Sequence, residues 1–333
     1  MNPRKPVLPS KEPPSAGPAP EAAPRPAAPE RILQRLDWQV IRRLDGLLQG
    51  DYRSLFYGYG VDFADLREYQ PGDDIRYIDW NVTARMDTPY IRQYVEDREI
   101  TAWFLLDLSP SMDFGVVNSQ KRGVLIDLVA TLARLLTRHG NRVGALLYSG
   151  QMESQGNGHG RSARGIERVI PPRGGRMQVL RIIHDLLRQP YLPRAPFTRL
   201  EMLIEGGLYA IKRRSLVFVI SDFISAPGWE RPLSLLNQRN EVLAIRLWDP
   251  REVELPDVGP MILEDAETGE QLYVDTHDIK FRARFAEAAR QRTAALSEAF
   301  KHAGVDDLAM STGEDLVRAI VRFATIRQQR RKK

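Results

Sequence analysis

The sequence predicts an α/β fold, a doubly wound, mostly parallel sheet flanked by helices. Three observations predict it. Apolar runs recur at 101–109 (TAWFLLDLS), 142–149 (RVGALLYS) and 215–223 (SLVFVISDF), each bounded by turn signals, as strands buried on both faces require. Segments of helical period separate them, for example Val124, Leu125, Leu128, Leu132, Leu135 and Leu136 within 119–138. Repeated strand–helix alternation makes the connections crossovers, and crossovers make the strands parallel.

The chain has 333 residues, and its first 30 hold ten of the 23 prolines. That segment buries too little apolar surface to offset its ordering entropy and is expected to be a disordered tail. Ile32, Leu33, Leu36, Val40, Leu44, Leu47 and Leu48 define the apolar face of a helix over about 31–49, and 52–63 suits an irregular loop or short strand. Pro71-Gly72 marks a turn. Around it stand Arg67, Tyr69, Asp73, Asp74, Arg76, Asp79, Trp80 and Arg85. These residues suit a hydrogen-bonded and ion-paired lattice better than a second acidic site, because arginines neutralise the carboxylates. A strand is expected from Tyr90 to Glu99, leading towards the next.

After the first buried strand and its helix, Gly140-Asn141 stops the helix. Residues 150–165 read as a mobile loop, 167–170 as a short edge strand ahead of Pro171-Pro172, and 177–188 as a helix. Helices follow at 200–213 and 229–239, with a strand at 241–248. A hairpin over 261–275 turns at Glu267-Thr268-Gly269-Glu270. A long charged helix at 278–303, a short strand at 307–311 and a helix from 313 to about 328 complete the chain. The expected organisation is a tail (1–30), an N-terminal extension (31–100), the α/β domain (101–328, with a hairpin insertion at about 255–276) and a basic tail (329–333).

Composition excludes several chemistries. Cysteine is absent, so there is no disulfide framework, thiolate metal site or cysteine nucleophile. A reducing cytoplasm fits that usage. The five histidines, at 139, 159, 184, 277 and 302, lack ligand spacing. No apolar run approaches the roughly 18 residues that span a membrane. No dinucleotide, P-loop or nucleophile-elbow motif follows a strand. The net charge of +5 does not demand nucleic acid. Arg327 to Lys333 and the Arg-rich loop Arg161–Arg176 are read as solvated.

Asp107, Ser109 and Ser111 leave the first buried strand at i, i+2 and i+4. In an extended segment these side chains point to one side, and Pro110 favours an extended Ser109. Three hard oxygen donors there suit Mg²⁺; the alternative is a polar turn whose serines cap the next helix. Doubly wound sheets bind ligands outside the strands' carboxyl ends, where the strand order switches. If strands 101–109 and 215–223 flank that point, Asp222 faces the first three residues. Thr198, just ahead of a helix, completes two carboxylates and three hydroxyls. Asp222 could equally be a strand-end turn residue and Thr198 a helix N-cap.

This constellation, Asp107-Leu108-Ser109-Pro110-Ser111 with Thr198 and Ser221-Asp222, resembles the von Willebrand factor A domain and its metal-ion-dependent adhesion site. The longer stretch REYQPGDDIRYIDWNVTARMDTPYIRQYVEDRE, running into that strand, resembles the bacterial domain-of-unknown-function family 58, whose von Willebrand A-like proteins are often associated with MoxR-type AAA+ ATPases. The resemblance implies Mg²⁺, with Mn²⁺ or Ca²⁺ as alternatives. It also implies a protein partner whose Asp or Glu fills the open coordination position. The expected function is a non-enzymatic, metal-dependent adaptor, cytoplasmic and without a membrane span, working with such an ATPase in protein maturation or stress response. The alternative is a Mg²⁺-dependent phosphoester hydrolase.

Overall fold

The computed structural model describes residues 28–48, 66–70, 75, 78–86, 88–92, 99–115, 120–150, 166–191 and 198–331. The expected tail up to residue 27, the segment 52–63, the Pro71-Gly72 turn with Asp73, Asp74 and Arg76, and the loop 151–165 lie outside them.

Six strands form the central sheet: β3 (Thr101–Asp107), β4 (Arg142–Tyr148), β5 (Ile166–Arg173), β6 (Leu216–Ser221), β7 (Glu241–Trp248) and β10 (Asp306–Ser311). Their order is β10-β7-β6-β3-β4-β5, all parallel except β5, which runs antiparallel to β4. This is the α/β, mostly parallel architecture that the alternation implied. The chain builds outwards from β3, first through β4 to β5 and then back through β6 to β7 and β10. The switch in strand order therefore falls between β3 and β6, where Leu106 pairs with Ile220.

Alternate side chains of β3 enter opposite core layers. Ala102, Phe104 and Leu106 pack with helices α4 (Lys121–Arg138) and α5 (Arg176–Arg188) and with α9 (Leu316–Arg331). Trp103 and Leu105 pack with α6 (Leu200–Ala210), α7 (Glu230–Arg239) and α8 (Ile279–Ala303). Phe104 and Phe218 stack at 5.0 Å across the junction. Each fully buried side chain of this size contributes about 1.5–3 kcal/mol relative to exposure, so the polar groups at the strand ends stand on a rigid base. Gly207 lets α6 approach closely: a Cβ there would lie 2.6 Å from Leu105 Cδ2. The same helix begins two residues after Thr198.

Several expectations need correction. The N-terminal helix is α1 (Pro29–Leu36), a π-turn (Asp37–Ile41) and α2 (Arg42–Leu48). The wider turn rotates the apolar stripe: Ile41 is buried, while Leu47, expected on the buried face, is exposed. β5 does not stop before Pro171-Pro172 but runs through them, at the sheet edge and opposite a register shift between Val143 and Ala145. An edge position with a bulge spares the ladder the missing N–H groups. Helix α6 ends at Ala210 because Ile211 turns extended towards β6. Helix α9 continues through Arg331 into the expected basic tail.

Outside the sheet, β1 (Leu66–Glu68) and β2 (Tyr90–Arg92) pair antiparallel around α3 (Trp80–Met86). The expected strand from Tyr90 is thus described as strand only to Arg92. The expected hairpin is present as β8 (Pro260–Glu264) and β9 (Gln271–Asp275). No described helix is long and apolar enough to cross a membrane.

Candidate metal centre

Strand β3 delivers Asp107 to the carboxyl edge of the sheet, fully buried. Its Oδ1 accepts from the Ser109 amide at 3.0 Å, and its Oδ2 accepts from Ser221 Oγ at 2.6 Å. Ser109 is extended, as a residue before proline should be. Ser111 departs from the expected geometry. Pro110 opens a 3₁₀ turn (Pro110–Asp113) rather than continuing an extended segment, and this turn brings Ser111 Oγ to 3.1 Å from Ser109 Oγ. Neither serine caps a helix through its side chain; their hydroxyls meet each other.

Thr198 does not act as a helix N-cap either. Arg199 occupies the cap position of α6, without a side-chain cap bond. Thr198 is held instead by the loop that follows β6 and by the end of β4. Its carbonyl accepts from the Ala226 amide and Ser225 Oγ, at 2.9 and 3.0 Å. The next amide, of Arg199, donates to Tyr148 Oη at 2.9 Å. Burial pushes the Tyr148 phenol up to about 12, so it stays neutral.

Asp222 follows β6 in a sharp turn. Phe223 has φ of 59°, a left-handed conformation that is costly for a bulky residue. Its ring packs edge-on against Trp229 and Phe300, at 5.4 and 4.9 Å, which fixes the turn. Asp222 Oδ1 accepts from the Ile224 amide at 2.9 Å, and Oδ2 accepts from Lys121 Nζ at 2.7 Å.

Lys121 and Glu267 were not among the site residues expected from sequence. Lys121 is the first residue of α4, where the helix dipole disfavours a cation, and it is wholly buried. Its ammonium bridges Asp222 and Glu252, the latter at 2.5 Å. Burial alone would depress it, but the two carboxylates outweigh burial and hold it above its ordinary value. Glu252 in turn shares a capping box with Asp249 at the exit of β7.

Glu267 comes from the tip of the β8–β9 hairpin. Its Oε1 accepts from Thr198 Oγ1 at 2.8 Å and from the Ser111 amide at 3.3 Å. Its Oε2 is buried with no hydrogen-bond partner among the described residues. The tip is tightly built. Asp265 Oδ1 accepts from the Glu267 amide and from the Thr268 amide and hydroxyl, and Gly269 takes the positive φ of 72° that closes the turn.

The electrostatics favour a cation. Desolvation, and then the Asp222 charge, raise Asp107 from 3.8 to about 7. Desolvation likewise raises Glu267, against the lowering effect of its bonds from Thr198 and Ser111. Among the described residues neither carboxylate forms an ion pair. Also among them, no three His, Cys, Asp or Glu side chains form a metal-ligating cluster. The donors here are instead mixed, hydroxyl and carboxylate. All are hard oxygens, and their observed separations of 2.8 and 3.1 Å compare with about 2.9 Å between adjacent ligands of octahedral Mg²⁺. With the orphaned Glu267 Oε2, this set fits a small divalent cation. Asp107, Ser109, Ser111 and Thr198 would hold it. Asp222 stands beside them with both oxygens already engaged but with lone pairs to spare.

The second group of expected residues divides. Asp79 is buried, and its Oδ1 accepts from the Val82 amide at 3.3 Å, the pattern of a cap for α3. Its amide donates to the Tyr90 carbonyl, and the Tyr69 amide to that of Pro89, tying the β1–β2 unit together. Arg67 lies in β1. Trp80 and Arg85 are exposed on α3.

Comparison with known proteins adds relatives without an assigned activity. A model of the family described as "Protein of unknown function DUF58" matches residues 65–295. An uncharacterized protein of Mycobacterium tuberculosis is 35% identical over 297 residues, 89% of either chain. An uncharacterized protein of Mycobacterium avium is 35% identical over 160 residues, covering 48% of this chain and 94% of its own. Among solved structures, BatB from Bacteroides thetaiotaomicron aligns over 69% of this chain and 99% of its own, at 13% identity and a TM-score of 0.42. The SpRpn10 VWA domain aligns over 67% and 94%, at 12% identity and a TM-score of 0.34. TM-scores at this level establish neither fold nor function by themselves.

Proposed function

This chain belongs to the DUF58 family, and from that membership and the geometry at the β3–β6 junction we propose that it is a divalent-metal-dependent protein-binding module. The observation that carries the proposal is the convergence of Asp107, Ser109, Ser111 and Thr198 with no compensating cation on Asp107 among the described residues. A cation bound there, with Mg²⁺ the first choice, supplies an electrophilic centre that a carboxylate can ligate. The chain's own residues fix its place. Ser221 and the Ser109 amide orient Asp107, the 3₁₀ turn sets the two serines side by side, and Tyr148 and Ser225 hold Thr198.

A non-enzymatic role suits the chemistry of the surrounding groups. Lys121 is bonded to two carboxylates and held protonated, and the raised carboxyls of Asp107 and Glu267 are the groups that a bound cation would engage. A phosphoester hydrolase would need a group free to move a proton. The family resemblance makes a MoxR-type AAA+ ATPase the partner to test, with the chain acting as its adaptor in protein maturation or stress response.

The test is a pull-down of that ATPase with immobilised protein in Mg²⁺ and in EDTA, using wild type and Asp107→Ala. Capture that needs both Mg²⁺ and Asp107 is the expected result. Capture indifferent to chelator and variant would remove metal from the recognition. Turnover of phosphoester substrates by wild type, lost in Asp107→Ala, would replace the binding role with the hydrolytic one.

A further inference from the structure

Glu267 is far in sequence from the residues it meets: 156 residues separate it from Ser111 and 69 from Thr198. It reaches them only because the β8–β9 hairpin, a two-stranded unit apart from the central sheet, places its tip over the carboxyl edge of β3. A glutamate at a hairpin tip has water available at little cost, yet Glu267 is 6% exposed. One oxygen is shared between the Thr198 hydroxyl and the Ser111 amide, and the other has no hydrogen-bond partner among the described residues. A buried carboxylate oxygen left unsatisfied loses its hydration with nothing in return. The turn that holds it is built for that placement, with Asp265 accepting three hydrogen bonds from Glu267 and Thr268.

We infer that Glu267 is itself a metal ligand: the hairpin supplies, from within the chain, the carboxylate that completes the coordination of a divalent cation held by Asp107, Ser109, Ser111 and Thr198. This rests on the metal-site reading above and deepens it. The orphaned Oε2 then has its partner, and the negative charge of Asp107 and Glu267 is met by the cation. Glu267 is one of five donors around an octahedral ion and takes a position that a carboxylate from another protein would otherwise use, so the hairpin competes with an outside partner for the metal. The β8–β9 unit becomes the element that decides whether the site is open.

Mn²⁺ alone serves as the probe. Its dissociation constant is measured by titration calorimetry for wild type and Glu267→Ala. The water-proton relaxivity of the bound ion is measured for both, and hydrogen exchange of the 260–275 amides is followed in wild type with and without Mn²⁺. Glu267→Ala should weaken binding about tenfold or more. It should also raise the relaxivity per bound ion, because water takes the vacated position. In wild type, Mn²⁺ should slow exchange across the hairpin. The exchange arm needs no variant, so a folding defect in Glu267→Ala does not decide the matter. Equal affinity and relaxivity in the two proteins, or faster hairpin exchange on adding Mn²⁺, would overturn the inference while leaving the metal site standing. No Mn²⁺ binding by wild type would remove the metal site, and the inference with it.

Discussion

On one side of the β3–β6 junction, Lys121 sits between Asp222 and Glu252, and buried charge is balanced within the fold. On the other side, Asp107 and Glu267 are equally enclosed, yet among the described residues they share only hydrogen bonds from hydroxyls and amides. The two halves touch, since Asp222 is one of the causes that raise Asp107. A buried carboxylate is tolerated when a cation or a proton neutralises it. The first half carries its cation in the sequence. The second half must take a proton or a metal from solution, and its hydroxyl-rich lining favours the metal. On the proposed reading, that contrast separates a structural ion pair from a cation-binding site, although both lie at the same sheet edge.

The sharpest way to break the comparison is to empty the balanced half. Lys121→Met leaves Asp222 buried and Glu252 half-buried without the ammonium that bridges them and should cost about 3–5 kcal/mol, read by urea unfolding. A loss below 1 kcal/mol would show that this half is not held by its ion pair.

The unbalanced half should show itself through pH. In metal-free protein Asp107 titrates near 7, above its ordinary 3.8, so between these values the folded state binds the extra proton. Its contribution is then full below about pH 4 and lost as pH rises through 7. Over that window the loss is on the order of 4 kcal/mol at 1.36 kcal/mol per unit. Asp107→Asn should flatten this slope in EDTA and be more stable than wild type at pH 8. A variant with the wild-type slope would place the titration elsewhere.

A smaller effect sharpens the role of packing. Gly207→Val on α6 would push against Leu105 and should cost about 1–3 kcal/mol. Because α6 follows Thr198, the same variant should also weaken Mn²⁺ binding. Destabilisation with unchanged Mn²⁺ affinity would show that Thr198 is positioned by its loop contacts alone.

The uneven legibility of the site follows from the same physics. Asp107, Ser109 and Ser111 lie within five residues of a buried strand, so strand geometry and Pro110 point to them directly, even though the 3₁₀ turn at Ser111 does not show in an extended-chain reading. Asp222 and Thr198 depend on which strands flank the switch in strand order, a condition that alternating strands and helices leave open and that the sheet meets at β3 and β6. Lys121 reads locally as an ordinary cationic helix start, and only the packed sheet reveals that it bridges two distant carboxylates. Glu267 reads as hairpin-turn chemistry, and its function depends on a tertiary contact that no local pattern encodes. The π-turn at Asp37–Ile41 is a similar case: one extra residue in a helical turn shifts the buried face, and composition gives no sign of it.

The most direct test of the central claim, that the uncompensated half of the site is built for a divalent cation, is a thermal melt of wild type and Asp107→Ala in EDTA and in Mg²⁺ or Mn²⁺. At a metal concentration about 100 times the dissociation constant, linkage gives roughly 2.7 kcal/mol of stabilisation. For a domain of this size that is a rise in Tm of about 5–10 °C. The account predicts that rise in wild type and its absence in Asp107→Ala. A wild-type Tm that is the same in EDTA and in saturating Mg²⁺ and Mn²⁺ would contradict it.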